Sequence, residues 1–352
     1  MSFASAALVA GVALTLGALA IVGTVMGNNG SSDRFAAGQN FANEENPLRS
    51  LPAGATDGIV RIAVAHGTID TIAGIMMLAD GHIITSADAL TGAESLTVTT
   101  RDGSEFTAVV IGVDPVTDIG VLDIEGETHS TIAIADNAAL SESAAALVVE
   151  HNGANRTMGV TSGTIDNIAA PLKLRDGRTM HGMISSTLAR VSQSGASVLC
   201  STDGSVIGLV TTRNRARTDR TVYATPIAYA LHIARDIIAA GTARHAWIGI
   251  LGVDYTGSDN DASNSDGSTG ASRGTVVTEV AADGPAAQAG IRPQDIIIEV
   301  MGRPIESASS LVVNVRDFDP GDIVPVLYVR DGTEQTAIVT LGDRPAAVDA
   351  PR

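Results

Sequence analysis

The chain has 352 residues, 45% of them hydrophobic and only 3% aromatic, with a formal net charge of −17 at pH 7. That acidity excludes a nucleic-acid ligand, because little here would neutralise a phosphate backbone, and it bears on solubility rather than on a choice of partner. A single cysteine excludes an internal disulfide and any multi-cysteine zinc site; Cys200, in the apolar run SVLCS, reads as a buried, inert thiol.

Residues 1–32 carry no charged side chain, and Ala4 to Met26 is an unbroken run of apolar and small residues. As a helix that run would extend ~34 Å, enough to cross a bilayer core. A cleaved signal peptide would show a basic leading segment, which is missing, so residues 1–26 are read as a transmembrane anchor. The folded mass lies C-terminal to it. The expected placement is therefore single-pass in the cell membrane, with the folded domains extracytoplasmic. Residues 27–57, rich in Asn, Gly, Ser and Ala, read as a flexible linker.

From Gly58 the chain becomes a series of short β-branched runs: GIVRIAVAH, TIAGIMML, HIITSA, SLTVTT, FTAVVIGV, DIGVLDI and AALVVE. Turn dipeptides at Asp80-Gly81, Asp102-Gly103 and Asp114-Pro115 separate some of them. Many short strands with little helical periodicity predict a mainly β body, an antiparallel barrel or sandwich, over residues 58–245. The stretch 227–241 breaks that pattern with apolar residues at helical spacing, and ends on Gly241, a C-cap signal. A low-complexity acidic insert at 254–274 has almost nothing to bury and reads as disordered. It lies within a second, small α/β unit spanning 246–344, which a tail, 345–352, follows.

Several separate motifs, taken in order, resemble the HtrA/DegP-like serine proteases. They are GHIITSADAL, DPVTDIGVLDI, VTSGTI and SQSGASVLCSTDGSVIGLVTT in the body, then HAWIGI and EVAADGPAAQAGIRPQDIIIEVMGRPI in the second unit. The resemblance implies a chymotrypsin-like double β-barrel followed by a PDZ domain, with a transmembrane helix ahead of both.

Acyl transfer by serine needs a base of near-neutral pKa, a carboxylate to orient that base, and backbone N–H groups for the oxyanion. On the matching positions the resemblance makes Ser194 the candidate nucleophile and Asp118 the triad carboxylate. Asp88 stands where the family has its histidine. An aspartate near pKa ~3.9 is a poor acceptor for a serine proton, and beside Asp118 one of the two carboxyls is expected to hold a proton. The loop also departs from the family's Gly-Asn-Ser-Gly-Gly-Pro. Ser192 replaces the glycine that donates to the oxyanion, while Ala196 and Ser197 replace the glycine and proline that follow. The expected function is a membrane-anchored, non-proteolytic scaffold in extracytoplasmic protein quality control. The alternative is an active endopeptidase using Ser194 with an unusual base. Two carboxylates without further oxygen ligands do not make a cation site, so neither metal nor cofactor is expected.

By the same resemblance Trp247, Ile248, Gly249 and Ile250 match the PDZ loop and strand that bind a peptide's terminal carboxylate. Leu311 and Val315 lie on the helix that would form the opposite wall. The partners implied are unfolded or C-terminal peptide segments. Family members commonly form homotrimers through segments ahead of the barrel. Here only Phe35 and Phe41 offer anchors for such contacts, and assembly stays open.

Overall fold

The computed structural model describes residues 51–126, 128–136, 140–152, 157–191, 195–213, 220–257 and 273–345. All of them belong to one compact unit, Asn43–Arg352. The expected anchor at 1–26 lies outside the described residues, as does the linker up to residue 50. Among the described residues no helix is long and apolar enough to cross a membrane.

Six strands form the first barrel: β1 (Ile59–Ala65), β2 (Ile69–Met76), β3 (Ile83–Ser86), β4 (Ser95–Thr99), β5 (Glu105–Asp114) and β6 (Ile119–Ile124), with the short helix α1 (Ala87–Leu90) after β3. They close in the order β1-β2-β3-β6-β5-β4, which leaves no unpaired edge. In β1 the period-2 alternation sends Val60, Ile62 and Val64 into the barrel interior, while Ile59 turns outward to the core shared with the second barrel. The Asp80-Gly81 turn needs its glycine. Gly81 has φ +109°, and a Cβ there would sit 2.1 Å from the Ile124 carbonyl oxygen.

The second barrel repeats the plan with β7 (Ala145–Asn152), β8 (Thr157–Lys173), β9 (Thr179–Leu188), β10 (Ser197–Ser201), β11 (Val206–Val210) and β12 (Thr221–Pro226). It closes as β10-β11-β12-β9-β8-β7. Helix α2 (Ile227–Ala240) then lays Ile227, Ala230, Ile233, Ala234 and Ile237 into the core between the barrels. Each of these isoleucines removes its side chain from water, worth about 2 kcal/mol apiece. Gly241, at φ +76°, ends the helix with its N–H on the Ile237 carbonyl. Cys200 is buried in this shared core, where loss of hydration pushes its thiol up to about 12.

The third body comprises β13 (Ala246–Trp247), β14 (Ile250–Thr256), β15 (Arg273–Val280), α3 (Pro285–Gln288), β16 (Ile296–Val300), β17 (Arg303–Pro304), α4 (Ala308–Val315), β18 (Ile323–Arg330), β19 (Thr333–Thr340) and β20 (Gly342–Asp343). Its main sheet runs β14-β15-β16-β18-β19, so β14 is an edge strand. Inside it, Asp295 is 1% exposed and takes both Nε and Nη2 of Arg330 at 2.7 Å, a bidentate pair that also accepts the Arg292 N–H. Two expected irregular segments are shorter than the sequence pattern suggests. Strand pairing carries β14 to Thr256 against Arg273, so ladder hydrogen bonds occupy both ends of the 254–274 insert. Residues 52–57 form hydrogen-bonded turns, and Leu51 packs on the shared core, so the end of the 27–57 linker is built into the barrel.

Candidate active-site cleft and peptide groove

Asp118 lies in the turn between β5 and β6 with φ +61°, a left-handed conformation that an aspartate tolerates better than most side chains, and it is 1% exposed. Its Oδ1 accepts the backbone N–H of Asp88 at 2.8 Å, and its Oδ2 accepts the Ser86 hydroxyl at 2.8 Å and the Thr211 hydroxyl. Burial nevertheless dominates and raises Asp118 above the ordinary carboxylate range. The cause of that rise is desolvation, rather than repulsion from Asp88 as the sequence led us to expect.

Asp88 lies in the first turn of α1, and its Oδ2 accepts the Thr212 hydroxyl at 2.9 Å. Thr212 Oγ1 is also 3.0 Å from Ser86 Oγ, so one hydroxyl chain joins the surroundings of both carboxylates. The cation at this site among the described residues is Arg213, whose Nε is 3.8 Å from Asp118 Oδ1 and whose side chain is 14% exposed. Sequence reasoning missed Arg213. A guanidinium two residues beyond Thr211, at the end of β11, was the available signal.

Ser192 and Ser194 lie outside the described residues. The chain resumes at Gly195, where an added Cβ would meet Ile72 at 3.1 Å and Thr212 at 3.7 Å, so the end of the nucleophile loop enters beside the residue that bonds Asp88. Ala196 is buried in the first barrel's core and its carbonyl takes the Ala73 N–H. The buried hydroxyl of Ser197, at the family's proline position, has no hydrogen-bond partner among the described residues.

All seven histidines are described, and their contacts lead away from Asp118. His66 bonds the Thr91 carbonyl, His82 bonds Asp80, and His129 bonds the Glu125 carbonyl. His181 bonds Ser309, His232 pairs with Asp319, and His245 bonds Asp114. His151 lines a separate cavity.

The second candidate site is a cavity of about 340 Å³ between β14 and α4. Trp247, Ile248, Ile250, Leu311 and Val315 all line it, which brings five of the six expected groove residues together. Gly249, the sixth, has φ +84°, with the ring of Pro285 within 3.2 Å of where a Cβ would lie; its carbonyl and that of Ile248 hold Ala281 and Ala286. Helix α4 is fixed by a capping box in which Ser307 and Ser310 satisfy each other's backbone amides.

The far wall comes from the barrel, which the sequence did not foretell: Met180, His181, Met183 and Tyr229. Arg316, just past α4, ties the two bodies together. It donates to the His181 carbonyl at 2.8 Å and the Gly182 carbonyl at 3.3 Å, and lies 4.3 Å over the Tyr229 ring.

This is the fold of a trypsin-like peptidase followed by a PDZ domain. Comparison with known proteins agrees: a family model for a trypsin-like peptidase domain matches residues 73–209, and one for a PDZ domain matches residues 249–341. The serine endoprotease DegS of Escherichia coli (strain K12) is 29% identical over 279 residues, 78% of this chain and 77% of that protein. A Halomonas elongata protein described as "Probable periplasmic serine endoprotease DegP-like" is 28% identical over 276 residues, 77% of this chain. The match spans 56% of that relative's length. Among solved structures, the HtrA-type protease AlgW with tripeptide aligns with a TM-score of 0.64 at 24% identity, covering 83% of this chain and 97% of that one. The chain belongs with the HtrA-like serine proteases that carry a C-terminal PDZ domain.

Proposed function

We propose that this HtrA-like chain is a non-proteolytic, peptide-binding scaffold, anchored in the membrane by residues 1–26 and acting outside it. The observation that carries this reading is the environment of Asp118. The carboxylate that would orient a catalytic imidazole holds a backbone amide and two hydroxyls, with Arg213 as its nearby cation, and no histidine stands beside it. A guanidinium stays protonated at any working pH and cannot take the serine proton. The periplasmic description of the Halomonas relative supports the extracytoplasmic placement.

Peptide binding rests on the groove. A ligand enters as an extra strand on the free edge of β14, faces α4, and directs its terminal carboxylate to the Trp247–Gly249 loop. Leu311 and Val315, each 4% exposed, set an apolar floor for its last side chain. That AlgW was solved with a tripeptide supports peptide occupancy of this fold.

The test is fluorophosphonate labelling of the full chain, mapped by mass spectrometry, with Ser194→Ala alongside. The expected result is no label on Ser194 while a fluorescent C-terminal peptide binds. Labelling that disappears in Ser194→Ala would overturn the non-proteolytic reading in favour of an endopeptidase with an unusual base.

A further inference from the structure

A second cavity, of about 270 Å³, opens where β1, the β4–β5 turn and β7 meet. Arg61, Thr99, Arg101, His151 and Met158 line it. Arg61 is 8% exposed, an uncommon burial for an arginine. It is positioned by a 2.6 Å hydrogen bond from Nη2 to Thr99 Oγ1, and its one carboxylate contact among the described residues, Glu105, is long at 3.5 Å. Arg101, exposed at the tip of the turn, touches the Met158 sulfur at 3.7 Å and has no carboxylate partner among the described residues. His151, 8% exposed, contributes an imidazole whose two nitrogens are buried.

Two guanidinium groups thus converge on one pocket with Glu105 as the acid in contact, in a chain whose overall charge is −17. Like charges placed together in a partly dry pocket repel one another, and an anion between them relieves that repulsion. The same field is visible on His151, which burial, Arg61 and Arg101 together hold neutral. Guanidinium forks match the oxygens of carboxylate and phosphate, and the Thr99 hydroxyl is at hand as a further polar group.

We propose that the cavity lined by Arg61, Arg101 and His151 is a binding site for a small oxyanion, distinct from both the triad region and the PDZ groove. Arg61 supplies the fixed, buried charge, Arg101 closes over the ligand from the turn, and the apolar side chains of Ile59 and Met158 exclude water from the contact.

The experiment titrates the full chain with inorganic phosphate and, separately, with acetate. Ionic strength is held constant with chloride, and heat release and the His151 ring resonances are followed. The exposed Arg101 is the variant of choice, because truncating buried Arg61 puts the barrel at risk. Saturable binding that moves His151 and weakens roughly tenfold or more in Arg101→Ala is expected, whereas Arg178→Ala, far along the chain, leaves it unchanged. Stronger binding of phosphate identifies a free inorganic anion, and stronger binding of acetate a peptide carboxylate. Binding of neither anion, or binding that survives Arg101→Ala, would overturn the proposal.

Discussion

Arg213 stands over Asp118, with its Nε 3.8 Å from the carboxylate Oδ1. Asp88 holds the position where the resemblance would put a histidine, and the cation within reach of Asp118 among the described residues is this guanidinium. The consequence is geometric as well as chemical. Any base introduced at position 88 must compete with the guanidinium for the same oxygen.

Asp88→His alone should therefore give little fluorophosphonate labelling of Ser194, and Asp88→His combined with Arg213→Ala should label at least about tenfold faster. Labelling rates measured on the two variants decide the matter. Equal rates would mean that Arg213 has no hold on Asp118.

His151 makes stability depend on pH. Its folded-state value is lowered to about 4, by burial first and then by Arg61 and Arg101, against an ordinary 6.5. A base whose folded value is depressed contributes stability above its unfolded value, and that stability is lost as pH falls through the folded value. The contribution, roughly 2–4 kcal/mol, should be intact at pH 7.5 and largely gone near pH 4. Urea denaturation should show His151→Asn losing markedly less stability than the native chain over that window. Parallel pH profiles would contradict the assignment.

Arg316 is the tie between the peptidase fold and the PDZ body, and Trp247, the chain's only tryptophan, reports on the cavity beside it. Arg316→Ala removes two hydrogen bonds to barrel carbonyls and the stacking on Tyr229. Tryptophan emission should shift to the red, quenching by acrylamide should rise, and a C-terminal peptide should bind severalfold tighter as the barrel wall withdraws. An unchanged spectrum would place the restraint elsewhere.

Within the PDZ body, Asp295→Ala strands the Arg292 amide and removes both carboxylate bonds of Arg330, which keeps only its bond to the Gly290 carbonyl and its contact over the Tyr328 ring. Arg330 is partly open to solvent, so the cost is that of the lost charge-assisted bonds and the unpaired amide, about 1–3 kcal/mol. Loss of peptide binding with the barrel still folded by circular dichroism is the expected outcome. Replacing both Asp295 and Arg330 with apolar residues should recover part of the loss.

The strands, the helix over 227–241 and the two bodies were legible because each rests on local signals: alternation, i, i+3, i+4 spacing, and turn dipeptides such as Asp80-Gly81. The positions of Asp88 and Asp118 were legible because ordered motifs surround them. What remained hidden depends on contacts between residues far apart in the chain. Arg213 reaches Asp118 across 95 positions, a separation no local pattern reports. The barrel wall of the peptide groove, from Met180 to Tyr229, becomes visible only when the PDZ body docks. Arg61 and Arg101 look like solvated charges in the sequence, since only closure of β1 against β4 brings them to one cavity.

Cys200 is 0% exposed, belongs to the shared core, and has its thiol pushed up to about 12. It therefore stays silent toward alkylating reagents as long as the fold holds. The native chain behaves as a cysteine-free background, so one engineered surface thiol would take a fluorophore or spin label without any prior substitution. The same burial makes Cys200 a clock for unfolding: its modification by a maleimide counts openings of the core between the two barrels.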